Sequence, residues 1–176
     1  METQLITLSD IRDFKGISLN IAQEKELNPL ILEAQDFDLR AFLGDSFYIA
    51  LIEDFEASPS LATYSELWNG KKYTFNGLDY KFEGLRAVLV YHSWARFVAL
   101  DGITSTPTGF VNKTTQYSER ADPKAISRLV TQARSGATVH EERTRLFLDR
   151  HYSDFPLWRY AGRTTNFKNG VKMRQV

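Results

Sequence analysis

The stretch that most constrains this chain is residues 82–102, FEGLRAVLVYHSWARFVALDG. Leu85, Val88, Leu89, His92, Ala95 and Val98, with the rings of Trp94 and Phe97, recur at three- and four-residue steps. That spacing gathers side chains on one face of an α-helix. Tyr91 and Leu100 widen the face until Arg86 and Arg96 mark most of the polar side. A helix this broadly apolar must be surrounded rather than laid on a surface. Gly84 stands near its start and Asp101-Gly102 supplies a stop. The pattern predicts a buried central helix over about 83–101, packed by helices from both sides of the sequence.

The 176-residue chain is long enough for one domain with a core and short for two. Residues 1–8 read as an extended arm. Ser9 caps a short helix with Ile11 and Phe14 inward. Asn28-Pro29 is a helix start, followed by an apolar face to Gly44. Asp38 and Asp45 read as caps of short helices, the second with Phe47, Tyr48, Leu51 and Phe55 as its apolar set. A further helix carries Leu61, Tyr64, Leu67 and Trp68 and stops at Asn69-Gly70. Residues 71–82 are the clear β signal: KKYTF and DYKF flank Asn76-Gly77, a strong hairpin turn. Tyr73, Phe75, Tyr80 and Phe82 line one face. A lone hairpin is marginal in water, so it must pack on the helices or on another chain.

After the central helix, residues 102–118 read as a long Thr-rich loop holding Phe110, Val111 and Tyr117. Asp122-Pro123 then opens a second long helix, over about 122–152, with Ile126, Leu129, Val130, Ala133, Ala137, Phe147 and Leu148 inward. Ser135-Gly136 is a weak or bent point within it. Leu157, Trp158 and Tyr160 form an anchor that docks back. The fold expected is mainly α: an N-terminal arm (1–8), a single helical domain (9–160) built as a small bundle with one β-hairpin, and a basic tail (161–176).

Formal net charge is zero, yet residues 1–66 carry 4 Lys/Arg against 13 Asp/Glu, while residues 155–176 carry 5 basic residues and no acidic one. An acidic front and a basic back can meet within one molecule or between copies. No apolar run approaches the ~20 residues that span a bilayer, so no membrane partner is expected. METQLITLSD lacks the basic region and apolar core of a signal peptide. The absence of cysteine excludes disulfides and thiolate metal sites and fits a reducing compartment.

The sequence holds no phosphate-binding Gly-rich loop, no G-x-S-x-G and no H-E-x-x-H. His140 and His151 stand about 16 Å apart along one helix at 1.5 Å per residue, too far to share a metal ion. His92 reads as a hydrogen-bonded structural residue. No catalytic residue, metal site or cofactor is expected. What remains is a helical domain with protruding parts, the profile of an assembly component.

Two runs then carry a resemblance. They are I-x-E-A-Q-x-x-D-L-x-x-x-L-G at residues 31–44 and Y-x-F-x-G-L-x-x-x-L-x-Y at residues 80–91. With GFVNKTTQYS and FLDRHYSDFPLW further on, the chain over residues 10–158 resembles head–tail connector proteins of tailed bacteriophages, also called adaptor, neck or head-completion proteins, most of all those from phages of Bacteroidota. The resemblance implies a ring, commonly of twelve copies, in the virion neck and assembled in the host cytoplasm. Its partners would be other copies, the portal protein, the next neck or tail protein, and genomic DNA passing through the lumen without sequence recognition. It implies no catalytic residues. On this reading Tyr73, Phe75, Tyr80, Phe110, Tyr117, Arg163, Lys168, Lys172 and Arg174 are candidates for portal or inter-subunit contacts. Glu24, Glu26, Glu33 and Asp36 are candidates for a lumen that repels DNA. Three competing readings are a different neck or tail-completion ring, a small helical metal-dependent hydrolase using His92 and His140, and a DNA-binding regulator.

Overall fold

A computed structural model of the chain describes residues 3–15, 27–57, 60–100, 103–106, 109–112 and 122–159. Its elements in order are α1 (Leu8–Phe14), α2 (Asn28–Ala34), a π-helical turn (Gln35–Leu39), α3 (Arg40–Leu43), α4 (Asp45–Glu56), α5 (Ala62–Asn69), β1 (Lys71–Phe75), β2 (Leu78–Phe82), α6 (Gly84–Leu100), β3 (Ile103–Thr106), β4 (Gly109–Asn112), α7 (Pro123–Arg150) and a 3-10 turn (Pro156–Arg159).

Helix α6 is the axis, as its apolar breadth requires. From Leu85 to Val90 every residue except Arg86 is buried. Helices α1, α2, α5 and α7 all pack on it, so it is surrounded from both sides of the sequence. The helix α7 begins where Asp122-Pro123 places it: the Asp122 carboxylate accepts from the Lys124 N–H at 3.1 Å, and Pro123 needs no partner in the first turn. Its 28 residues give a rod of about 42 Å. It runs antiparallel to α6, with Arg143 beside Glu83 at one end and Gly136 beside Tyr91 further along.

Helix α7 passes unbroken through Ser135-Gly136. A Cβ on Gly136 would lie 2.3 Å from the Tyr91 ring. The glycine there admits an aromatic ring against the helix backbone.

The described part of the N-terminal segment, residues 3–7, packs into the core. Leu5 and Ile6 are buried and belong to the core. The clasp is Gln35, itself fully buried in the π-helical turn. Its Oε1 accepts from the Leu5 N–H at 2.8 Å, and its Nε2 donates to the Thr3 carbonyl at 3.0 Å. One amide side chain thus replaces the neighbouring strand that this segment lacks. Thr7, not Ser9, precedes α1; the Asp10 carboxylate accepts from the Thr7 N–H at 2.7 Å and hydroxyl at 2.8 Å. Asn28 lies inside α2 and accepts from Gln4 at 3.3 Å rather than capping the helix. Nor do Asp38 and Asp45 cap. Asp38 pairs with Arg96, and Asp45 with Arg40.

The hairpin forms in the expected register, with Tyr73 opposite Tyr80 and Lys71 opposite Phe82. Asn76 and Gly77, at φ 50° and 76°, make the primed turn that matches strand twist. Its base is pinned by two glycines in the left-handed region. A Cβ on Gly70 would sit 2.4 Å from the Phe82 carbonyl oxygen, and one on Gly84 2.2 Å from the Trp68 carbonyl oxygen. The chain enters and leaves the hairpin through this crossing, where no side chain fits. A second antiparallel pair, β3 with β4, occupies part of the stretch read as a loop. Phe155 and Trp158 are buried after α7, Trp158 donating to Asp149 at 2.8 Å. They close an aromatic cluster with Phe42 and Phe47.

Candidate functional surfaces

The aromatic hairpin divides into an inner and an outer part. Tyr73 stacks on Tyr80 at 5.5 Å and meets Phe147 and His151 of its own chain edge-on at 5.2 and 5.1 Å. Its hydroxyl accepts from Arg150 at 2.8 Å. The Arg150 guanidinium lies 3.8 Å from the Tyr80 ring centre and 4.9 Å from that of Phe75, close enough for cation–π attraction. Phe82 is stacked on Phe147 at 4.1 Å. The inner hairpin therefore packs on this chain's α7, with Tyr73 half-buried there. The outer part is free to meet a partner: Phe75 is exposed and Leu78 more so.

Of the acidic candidates, Glu33 and Asp36 are engaged. Arg96 bonds Glu33 at 2.5 Å and Asp38 at 2.8 Å, and Arg40 bonds Asp36 at 2.8 Å and Asp45 at 2.7 Å. Two arginines thus cancel much of the charge that a DNA-repelling lining would need. Phe110 lies on β4 with its backbone opposite Ser105. Glu24, Glu26, Tyr117, Arg163, Lys168, Lys172 and Arg174 lie outside the described residues.

The histidines separate onto different carboxylates. His92 Nε2 is 2.7 Å from Glu141 Oε1, with Asp38 3.7 Å from its Nδ1. His140 Nδ1 is 3.3 Å from Glu83 Oε2, and its ring lies on Tyr91 at 4.8 Å. Burial, more than any neighbour, lowers the His140 pKa, with Arg143 and Lys15 adding to it against Glu83. For Glu83 burial works upward, but hydrogen bonding and charge from Arg143, with His140, outweigh it and hold the carboxyl below its ordinary range. Among the described residues no three His, Cys, Asp or Glu side chains are placed to hold a metal ion. No helix among them is long and apolar enough to cross a membrane.

Two surfaces that sequence reasoning missed stand out by exposure. One is the end of α4 with the start of α5, where Ile49, Phe55 and Leu61 are exposed beside Glu53 and Glu56. The Asp54 carboxylate there accepts from the Leu61 N–H at 2.9 Å and from Ser60 at 2.7 Å. The Tyr64 pKa is raised, by burial first and then by Asp54 and Glu53. The other is the start of α7, where no residue before Ala133 is buried. Ile126, Leu129 and Val130, expected to be core, are half-buried or exposed. The signal was present in the sequence as single-sign charge around apolar positions, but periodicity alone assigned those positions inward.

No curated protein and no solved structure matches the chain. A family model described as a family of unknown function, DUF6712, matches residues 39–168, from the π-helical turn past the end of α7. The chain belongs to that family.

Proposed function

We propose that this chain is a structural virion protein of a tailed bacteriophage, forming a ring at the neck that joins the portal to the next neck or tail protein and continues the DNA channel. The observation that carries the reading is where the two resembling runs fall. The run at 31–44 supplies the Gln35 clasp and the buried Leu39 and Leu43. The run at 80–91 supplies Phe82, the Gly84 crossing and the buried start of α6. The likeness to connector proteins thus lies in residues that set the framework, while the exposed hairpin tip and helix ends are left for contacts. Assembly in the host cytoplasm and location in the virion neck follow from this reading.

The test is location. Peptide mass spectrometry of purified particles, with gold-labelled antibody viewed by electron microscopy, should find the chain at the head–tail junction. Label along the tail, or a chain present in infected cells and missing from particles, refutes the proposal.

A further inference from the structure

Two exposed helix ends carry charge of the wrong sign for their own helices. The last turn of α4 holds Glu53, Asp54 and Glu56 and no basic residue. A helix C-terminus is the negative end of the macrodipole, so carboxylates there are unfavourable. Glu53 and Glu56, three residues apart, also repel. Across residues 45–70 there are five acidic side chains and no Lys or Arg. Asp45 and Glu66 pair with Arg40 and Lys71. Glu53, Asp54 and Glu56 have no cation partner among the described residues; Asp54 holds the start of α5 and Glu56 accepts from Thr3.

The first turns of α7 are the inverse. Lys124, Arg128 and Arg134 are its only charged residues from 123 to 140, and Lys124 lies in the first turn, at the positive end of the dipole, where a cation is unfavourable. Lys124 and Arg128 are four residues apart and repel as well. All three are exposed and make no ion pair among the described residues. Each end also exposes apolar surface: Phe55 is 41% and Leu61 61% exposed on one, Leu129 47% on the other. An apolar centre with a rim of one charge sign is the anatomy of an interface.

We infer that the acidic end of α4 with the start of α5 docks on the basic first turns of α7 of a second copy of this chain. Glu53 and Glu56 on one end and Lys124, Arg128 and Arg134 on the other have no opposite charge paired to them among the described residues, and each end supplies what the other lacks. The contact joins two different surfaces, so every copy keeps one free surface of each kind and the association propagates into a closed ring or an open filament. It rests on the neck proposal only for closure into a ring.

Sedimentation velocity of the full chain at low salt tests it, with far-UV circular dichroism confirming that every variant is folded. The wild type should self-associate, and salt should weaken it by screening. The Lys124→Glu, Arg128→Glu chain and the Glu53→Lys, Glu56→Lys chain should each associate more weakly by about tenfold or more, the change that 1.4 kcal/mol produces. Mixed together they should associate again as alternating copies, because both surfaces of one variant then meet surfaces of opposite charge on the other. Variants that associate like the wild type overturn the inference, as does a wild type that stays monomeric at millimolar concentration. A wild type that stays monomeric alone but sediments with short duplex DNA, and loses this in the Lys124→Glu, Arg128→Glu chain, overturns it too by assigning that surface to nucleic acid. Adding portal protein separates the two proposals. Self-association by these surfaces in a chain that ignores the portal refutes the neck reading alone. Portal-bound rings formed by both double variants refute the docking inference alone.

Discussion

Replacing Gln35 by Leu removes the clasp that holds the N-terminal segment. Leu is similar in size and suits the buried site, so the change isolates the polar role. The Leu5 N–H is buried and finds no second acceptor from an apolar side chain. An orphaned buried donor costs about 1–3 kcal/mol. The Thr3 carbonyl is only partly buried, and losing its bond adds about 1 kcal/mol or less. The sum is about 1–4 kcal/mol, a large share of the ~5–15 kcal/mol that stabilises a typical domain. For a chain of this size that lowers Tm by roughly 2–16 °C. Urea unfolding followed by circular dichroism measures the loss, and hydrogen exchange locates it: the Leu5 amide should lose most of its protection while α6 changes little. Gln35→Glu gives a second arm. Its carboxylate still accepts from Leu5 but repels the Thr3 carbonyl, and complete burial raises its pKa. A folded pKa above the unfolded one means the variant's deficit should shrink as pH falls towards 4 and grow as pH rises. A Gln35→Leu chain within about 0.5 kcal/mol of wild type, or an unchanged Leu5 exchange rate, would refute the reasoning.

Other consequences follow from the same contacts. Phe147→Ala empties a site between Phe82, Tyr73 and Phe155 and should cost about 3–5 kcal/mol in urea unfolding. Tyr73→Ser should lower the stability of the monomer itself, because the ring and hydroxyl bind Phe147 and Arg150 of the same chain; an effect confined to oligomers would contradict this. Gly84→Ala forces a Cβ to within 2.2 Å of a backbone oxygen at a positive φ, and little folded protein should be recovered on expression. The pKa of His140 lies below its ordinary 6.5, so stability should fall as pH drops through that value towards the folded pKa. That of Glu83 is also lowered, and its contribution should be lost at lower pH still. His140→Gln should remove the first limb of the acid profile and leave the second.

Much of this architecture was legible in residue order. The threefold and fourfold steps of α6, the Asp122-Pro123 start of α7 and the Asn76-Gly77 turn each encode local geometry, and each formed as read. What escaped depends on partners distant in sequence. Gln35 is a polar residue in an apolar run, and nothing near it announces that the backbone of Thr3 and Leu5 will be its partner. Asp38 and Asp45 stand where caps belong, yet arginines that pair with them take both carboxylates. Gly136 reads as a weak point until the Tyr91 ring is placed against it. Ile126 and Leu129 share the helical period of the core residues that follow them, but their end of α7 lacks a covering helix among the described residues. The second hairpin has no Asn-Gly signal, and its Thr-rich strands resemble a loop. Of the contact candidates named from sequence, the loop and tail side chains lie outside the described residues, and the inner half of the hairpin packs on α7 of the same chain.

The central claim is that the chain is a ring component that docks on a portal. Light scattering on a sizing column, with the chain alone and with the cognate portal protein, measures this most directly. The account predicts either a ring in the free protein or a lower-mass species that joins the portal at one copy per portal subunit. A chain that elutes apart from the portal at every salt concentration would contradict it.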